Sequence, residues 1–239
     1  METTIRKIEI PQNKRIMVTS DVHGHYDYLD KLLGKVKFTE EDILFIVGDL
    51  IEKGPFSLET LRYIMKLSEA YTVYTLMGNV DAYRLLIFDD DSENGSESLY
   101  GYIQYMNKHW GGSIFSDMCS ELGLRINHSC DIPMLKASIR ATYSSELDFL
   151  RRLPTIVETQ SFIFVHGGVP SEDVSSFEGT DAFKYLKCDA FLEKGYKFNK
   201  YVVVGHWPVT LYGDKFASFN PIIDKQRKII SIDGGCGLK

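Results

Sequence analysis

The chain has 239 residues, of which 44% are hydrophobic and 25% are charged, and its formal net charge is −6. This composition is typical of a globular protein with a substantial core. The acidic balance argues against a nucleic-acid-binding surface, which needs clustered Lys and Arg, and no run reaches the roughly 18 apolar residues of a membrane span.

The cysteines and the start of the chain bear on the cellular compartment. Cys119, Cys130, Cys188 and Cys236 have neither metal-binding nor redox spacing, which favours free thiols in a reducing compartment. The first residues lack the apolar core of a signal peptide. We therefore expect a cytoplasmic protein without a membrane partner.

The first third of the chain alternates apolar runs with amphipathic stretches. Residues 15–20, 43–48 and 71–78 are rich in β-branched and aromatic residues and predict buried strands. Between them, residues 26–36 and 57–67 carry apolar side chains at helical spacing. This βαβαβ order predicts parallel strands with right-handed crossovers.

Residues 82–153 follow a different pattern. The stretch contains an acidic segment at 88–98, FDDDSENGSES, which predicts a loop, and then helical patterns at 99–110, 114–122 and 144–153. It contains no strong strand pattern. We predict that it forms a helical insert within a single domain spanning residues 1–239.

The last third returns to strand patterns at 161–165, 201–205 and 228–232, with few helical signals between them. This change predicts a more antiparallel second half. Open α/β sheets collect their functional groups in the crevice beyond the carboxyl ends of such strands.

Each of the six apolar runs ends in side chains that can bind a metal ion. These residues are Asp21 with His23, Asp49, Asn79 with Asp81, His166, His206 and Asp233. Each alone has an ordinary structural interpretation, such as a buried histidine, a helix cap or a turn residue. Six such endings together predict one metal centre.

Five short motifs occur in order along the chain: DVHG at 21–24, GDLIEKG at 48–54, GNVD at 78–81, HGG at 166–168 and GH at 205–206. Together they resemble the motifs of the calcineurin-like metallophosphoesterase superfamily, in particular its phosphoprotein phosphatase and diadenosine tetraphosphatase branch. The resemblance spans residues 16–237, although no motif covers the middle insert. It implies an α/β fold in which two sheets form a sandwich with helices outside. From its helical pattern, we expect the insert to lie over the site.

The resemblance also implies a site for two divalent ions. Asp49 bridges them, Asp21 and His23 complete the first ion's ligands, and Asn79, His166 and His206 complete those of the second. Two ions roughly 3.5–4 Å apart can clamp a phosphoryl group and generate a hydroxide that attacks phosphorus in line. Mixed nitrogen and oxygen ligation suits manganese, iron or zinc, and we expect Mn²⁺. Asp233 would support the site by holding the second nitrogen of a ligand histidine.

Four positions depart from the pattern of that branch, Lys53, Met77, Val80 and Asp81, and two of them bear on the chemistry. Arginine is usual in place of Lys53, which can still attract phosphate as a point charge, although a solvated lysine is the alternative. Histidine is usual in place of Val80, where it donates a proton to the leaving oxygen and is oriented by a carboxylate, here Glu52. Loss of a general acid costs about 10²–10⁴ in rate for a poor leaving group, but little for an acidic one. His25 is the nearest substitute donor.

The resemblance implies a metal-dependent phosphoric ester hydrolase similar to the serine/threonine protein phosphatases, with Asp49 and Lys53 as catalytic candidates. His25 is a third candidate because it lies two residues after His23. A diadenosine tetraphosphatase, or another hydrolase of nucleotide phosphoanhydrides or phosphodiesters, is the alternative. A metal-retaining protein that only binds phosphate or a partner is the non-enzymatic alternative, which the complete ligand set disfavours. The expected partner is a phosphorylated small molecule, nucleotide or phosphoprotein, and not a nucleic acid.

Overall fold

The protein is described here by a computed structural model that covers residues 1–90, 93–124, 131–174, 177–213 and 218–238, with residues 93–98 as backbone only. The strands in these residues are β1 (Ile5–Lys7), β2 (Ile16–Thr19), β3 (Ile43–Val47), β4 (Thr72–Leu76), β5 (Ile156–Glu158), β6 (Phe162–Val165), β7 (Tyr201–Val204), β8 (Ile222–Asp224) and β9 (Ile229–Ser231). The helices are α1 (Tyr26–Lys35), α2 (Ser57–Ala70), α3 (Asn79–Asp89), α4 (Glu93–Trp110), α5 (Ile114–Glu121), α6 (Ile132–Thr142), α7 (Ser144–Arg151) and α8 (Phe183–Leu186).

The strands form two sheets. A three-stranded sheet has the order β2-β3-β4, and both of its pairs are parallel. The predicted βαβαβ unit is therefore confirmed. A six-stranded sheet has the order β1-β5-β6-β7-β9-β8.

The two sheets pack face to face through aromatic side chains. Phe45 of β3 stacks on Phe164 of β6, with 3.8 Å between the ring centroids, and Tyr74 of β4 packs beside Phe45. All five residues of β3 are buried, as expected for a strand covered on both faces. These contacts confirm the predicted two-sheet sandwich.

Helices cover the outer face of the small sheet. The buried side chains of α1 and α2 include Leu29, Leu33, Leu61 and Ile64, which join one large apolar cluster with residues from α3 to α7. Arg62 of α2 ties this layer together by ion pairs with Glu121 of α5 and Glu146 of α7. The helices predicted at 99–110, 114–122 and 144–153 correspond to α4, α5 and α7.

The middle of the chain is more helical than predicted. The acidic segment is not a loop throughout, because α3 continues to Asp89 and α4 begins at Glu93, while residues 91–92 lie outside the described residues. Acidic residues are favourable in the first turn of a helix, so they do not require a loop. Helix α6 was also not predicted. Its N-cap is Asp131, whose side chain accepts a hydrogen bond from the backbone N of Met134 at 3.0 Å.

The prediction of a more antiparallel second half is only partly right. Pairs β5–β6 and β8–β9 are antiparallel, whereas β1–β5, β6–β7 and β7–β9 are parallel. Short turns join the antiparallel pairs, and the long connections between β6, β7 and β9 permit parallel pairing. Strands β1, β5 and β8 have three residues each, too few to show a periodic pattern.

Two further observations concern the thiols and membranes. Cys188 and Cys236 are free thiols, Cys119 is buried, and Cys130 lies outside the described residues. Among the helices in the described part of the chain, none combines the length and apolarity needed to cross a membrane.

Candidate metal centre

Strands β2 and β3 bring three of the predicted ligands into one buried group. His23 Nε2 lies 3.9 Å from Asp21 Oδ1 and 3.6 Å from Asp49 Oδ2. One ligand atom from each of these three residues lies within 4.8 Å of the others. His23 Nδ1 lies 3.3 Å from the carbonyl of Ile51, which favours the tautomer whose Nε2 lone pair points into the group.

The other oxygen of Asp49 faces a second set of ligands. Asp49 Oδ1 lies 3.3 Å from His166 Nε2, and Asn79 Oδ1 lies 3.0 Å from the same nitrogen. His166 Nδ1 lies 2.8 Å from the carbonyl of Val47 at the end of β3, a partner that fixes the ring. The ring of His206 packs edge-on against that of His166, with 5.3 Å between centroids. All six predicted ligands are therefore brought together.

Asp189 completes the surroundings of His206. The backbone N of His206 donates to Asp21 Oδ2 at 3.0 Å, while its ring Nε2 lies 2.7 Å from Asp189 Oδ1. A supporting role for a histidine ligand was predicted for Asp233, but Asp233 Oδ1 instead accepts a hydrogen bond from Gly235 N. Asp189 was missed because it follows no strand, so no sequence signal marks it.

The backbone around the centre is held in an uncommon conformation. Six residues of the site have φ between +47° and +71°: Asp21, His23, Asp49, Glu52, Lys53 and His206. Left-handed backbone costs about 1–2 kcal/mol for a residue with a side chain, and such strain clusters at functional sites. Gly78 permits the close approach of two strand ends, because a Cβ there would collide with the backbone N of Asp49.

The charges in the centre favour a cation. Burial raises the pKa of Asp21 to about 8, helped by the neighbouring carboxylates of Asp233 and Asp49. Burial opposes protonation of His166, but the carboxylates of Asp49 and Asp21 outweigh it and raise its pKa to about 10. Burial lowers the pKa of His23 to about 4 against the opposing effect of Asp49, which leaves it neutral and able to act as a ligand. Buried carboxylates grouped with imidazole nitrogens match the donor set of a borderline divalent ion.

The loop after Asp49 places Lys53 in the centre. Its Nζ lies 3.1 Å from His23 Nε2 and 5.9 Å from the centroid of the Trp110 ring on α4. The preceding residue, Glu52, is buried and accepts a hydrogen bond from the backbone N of Ile114 at 3.3 Å. The middle helices therefore contact the loop that carries Lys53.

Val80 and His25 occupy different surroundings. The side chain of Val80 belongs to the apolar cluster, while its backbone N donates to Asp49 Oδ1 at 2.9 Å. The His25 ring stacks on Tyr28, with 4.8 Å between centroids, and packs beside Gly54. His25 and Asp21 both line a cleft of about 390 Å³, so the predicted proton donor lies at the edge of the centre.

Comparison with known proteins identifies the family. Residues 14–224 match the model of the calcineurin-like phosphoesterases. The chain belongs to this family. Its members are hydrolases that use divalent metals.

A symmetrical bis(5'-nucleosyl)-tetraphosphatase of Shigella dysenteriae serotype 1 is 45% identical over 75 residues, which are 31% of this chain and 26% of the relative. The matched part thus spans about a quarter of the length of that curated relative. The same identity and coverage hold for the enzyme of the same description from Escherichia coli strain K12 / DH10B.

Two solved structures share the fold. A candidate diadenosine tetraphosphatase aligns with a TM-score of 0.60 and 18% identity, covering 98% of this chain and 89% of its own. A serine/threonine phosphatase from Saccharomyces cerevisiae with similarity to human phosphatase PP5 aligns with a TM-score of 0.52 and 17% identity, covering 97% and 71%. These likenesses support the mixed α/β fold with two sheets.

Proposed function

We propose that this protein is a metal-dependent hydrolase of phosphoric esters or anhydrides. The observation that carries the proposal is the buried group of Asp21, His23 and Asp49, whose ligand atoms lie within 4.8 Å of one another. Such a group is expensive to bury without a counter-charge, and a divalent ion supplies one.

The arrangement around Asp49 supports two ion sites. Its Oδ2 faces His23, and its Oδ1 faces His166, so one carboxylate can serve both sides. We assign Asp21 and His23 to one ion, and Asn79, His166 and His206 to the other. Bound divalent ions would polarise the phosphoryl oxygens and lower the pKa of a bound water.

The remaining residues act around the phosphoryl group. Lys53 extends its ammonium group into the centre and is positioned to neutralise a phosphate oxygen. Its present contact is with His23 Nε2, so it must move aside when that nitrogen binds a metal ion. His25, at the edge of the adjoining cleft, is a candidate proton donor for the leaving oxygen.

Nucleotide phosphoanhydrides are the substrate class that we favour. The 45%-identical relatives are named as bis(5'-nucleosyl)-tetraphosphatases. A phosphoanhydride also departs readily without a proton donor, which suits a site with Val80 inside its apolar cluster. The alternative, a serine/threonine protein phosphatase, is supported by the motifs and the shared fold.

A substrate panel tests this proposal. The metal-free protein is loaded with Mn²⁺ and assayed with diadenosine tetraphosphate, an aryl phosphate, a phosphodiester and a phosphoserine peptide. We expect hydrolysis that requires Mn²⁺ and is fastest with diadenosine tetraphosphate. Faster hydrolysis of the phosphopeptide would favour the alternative function, a protein phosphatase. If the metal-loaded protein hydrolyses none of these substrates, the proposed hydrolase activity is refuted.

A further inference from the structure

A buried polar cluster beside the loop that carries Lys53 has unused hydrogen-bonding capacity. Glu52, Arg84 of α3 and Tyr102 of α4 meet there. In the described residues Glu52 Oε2, Arg84 Nε and Tyr102 Oη are buried and make no hydrogen bond of standard geometry, although Arg84 Nε forms an ion pair with Glu52 Oε1. Buried polar atoms without partners are uncommon in folded proteins. Three such atoms in one place leave hydrogen-bonding capacity that a further polar group could use.

The Arg84 guanidinium is held firmly from two directions. Its Nε lies 3.3 Å from Glu52 Oε1, and the side chains are 14% and 1% exposed, respectively. The guanidinium also lies over the Tyr102 ring, 3.8 Å from the centroid, a favourable cation–π distance. A charge held in this way loses little conformational freedom when it binds a ligand.

The cluster adjoins the predicted catalytic residues along the chain. Glu52 directly precedes Lys53, whose ammonium group lies in the centre. Arg84 follows Val80 by four residues in α3, so both side chains project from the same face of this helix. Val80 in turn follows the ligand Asn79 and donates its backbone N–H to Asp49.

We propose that Arg84 binds the phosphate on the leaving side of a phosphoanhydride substrate, with Glu52 and Tyr102 as the residues that position it. The inference rests on the proposed hydrolase function and specifies its substrate: the leaving group must itself carry a phosphate. A guanidinium can donate two parallel hydrogen bonds to a phosphate. It stays protonated and therefore cannot act as a general acid. Arg84 therefore recognises a charged leaving group and does not replace a general acid.

Hydrolysis of a phosphoanhydride, the reaction that this arrangement suits, needs no proton from the protein. An oxygen from water forms a new bond to the attacked phosphorus, and its proton passes to the solvent. The bond from that phosphorus to the bridging oxygen breaks, and its electron pair stays on the leaving phosphate. Arg84 pairs with the added negative charge, which needs no immediate protonation because a phosphate is an acidic leaving group.

Arg84→Met and Arg84→Lys test this assignment, and Arg62→Met is the matched control because Arg62 also pairs with carboxylates but lies in the helix layer. Each Mn²⁺-loaded protein is assayed with diadenosine tetraphosphate and with p-nitrophenyl phosphate, whose leaving group carries no phosphate. We expect Arg84→Met to lower kcat/KM for diadenosine tetraphosphate by about 10- to 150-fold, the range of one charge-assisted hydrogen bond. The activity of Arg84→Met with p-nitrophenyl phosphate should change less than about threefold. The activity of Arg84→Lys with diadenosine tetraphosphate should lie between those of the parent and Arg84→Met, because lysine keeps the charge but not the bidentate geometry.

Calorimetric titration with pyrophosphate and with orthophosphate supplies a readout that does not depend on turnover. We expect the parent protein to bind pyrophosphate more tightly than orthophosphate, and Arg84→Met to lose that difference while Arg62→Met keeps it. Equal losses for both ligands, or for both substrates, would assign Arg84 a purely structural role and overturn the inference. If the parent protein is inactive but binds pyrophosphate more tightly than orthophosphate in an Arg84-dependent way, only the hydrolase proposal is refuted. If the parent protein binds the two ligands equally tightly, the inference about Arg84 is refuted.

Discussion

Asp49 is the residue on which the candidate centre depends most. Its two carboxylate oxygens face His23 and His166, and Oδ1 also accepts the backbone N–H of Val80. The carboxylate is buried, yet the charge of His166 outweighs burial and holds the pKa of Asp49 below its usual range. The group is thus ready to bind cations on two sides.

Asp49→Asn should abolish hydrolysis and weaken both ion sites, because an amide has one acceptor oxygen and no negative charge. Mn²⁺ binding by calorimetry and hydrolysis of an aryl phosphate are the measurements. Asp30→Asn is a suitable control, since Asp30 accepts a hydrogen bond from Tyr63 at the surface. Retention of two Mn²⁺ equivalents by Asp49→Asn would contradict the bridging role.

Lys53 offers a second test at the same scale. Lys53→Met should slow hydrolysis or weaken inhibition by inorganic phosphate by about 10- to 150-fold, because one charge-assisted hydrogen bond is lost. Metal content should not fall, since the ammonium group lies beside His23 and is not a ligand. Lys31→Met, a change at an exposed lysine paired with Asp27, is the control. If Lys53→Met matches the parent in rate and in phosphate inhibition, the phosphate is held without Lys53.

Asp189 can be examined through metal affinity. Asp189→Asn should weaken Mn²⁺ binding by about 10- to 100-fold, because the ring of His206 loses the carboxylate that orients it. Asp148→Asn removes a carboxylate from the surface pair with Arg151 and should leave the affinity unchanged. Calorimetric titration with Mn²⁺ measures both variants. An unchanged affinity in Asp189→Asn would contradict a role of Asp189 in orienting the His206 ring.

At the scale of elements, Arg15 and Asp42 join the starts of β2 and β3 to the end of α1. Arg15 donates to Asp42 through Nε at 2.8 Å and Nη2 at 2.6 Å, and also to the carbonyls of Val36 and Lys37. The backbone N of Thr39 donates to Asp42 as well. The hydrogen bonds from Arg15 hold the pKa of the Asp42 carboxyl well below its usual range.

This lowered pKa predicts a dependence of stability on pH. A carboxyl whose pKa is lower in the folded state contributes stability above its unfolded pKa of about 3.9, and the contribution is lost as pH falls below that value. Asp42→Asn should therefore unfold at a lower temperature than the parent at pH 7, and the gap should narrow as pH falls below about 4. Thermal unfolding followed by circular dichroism measures the gap. A gap that is constant from pH 7 to pH 2 would exclude the ion pair as its cause.

The strand ends were predictable from sequence, and the contacts between distant segments were not. Runs such as residues 43–48 predict a buried strand by composition alone. Because parallel strands have their carboxyl ends at one edge of the sheet, the metal-binding residues that follow them are expected to lie together. Arg84 and Asp189 carry no local signal, because their partners Glu52 and His206 lie 32 and 17 residues away in sequence. Only the packing of α3 and of the segment after α8 brings these pairs together.

At the scale of the whole molecule, the centre joins both sheets. Asp21, Asp49 and Asn79 follow strands of the small sheet, and His166 and His206 follow strands of the large one. Ions bound there would connect the two halves of the sandwich. Metal binding and resistance to unfolding should therefore be coupled.

Removal of metal should destabilise the entire fold. At a free Mn²⁺ concentration 100 times the Kd, one bound ion stabilises the folded state by about 2.7 kcal/mol, which corresponds to about 5–11 °C in Tm for a chain of this size. Differential scanning calorimetry with EDTA and with Mn²⁺ measures the difference. The Asp49→Asn variant should show little response to Mn²⁺. An equal Tm with and without Mn²⁺ in the parent protein would mean that the ions do not bind the folded state preferentially.

The left-handed backbone at Lys53, with φ of +65°, has a consequence for laboratory evolution. Glycine adopts this conformation without the steric cost that a side chain imposes. Selection for heat resistance alone should therefore accumulate glycine at this position, and selection for turnover should restore lysine. The two selections would thus favour different residues at position 53, and the frequency of glycine at this position would show which selection is stronger.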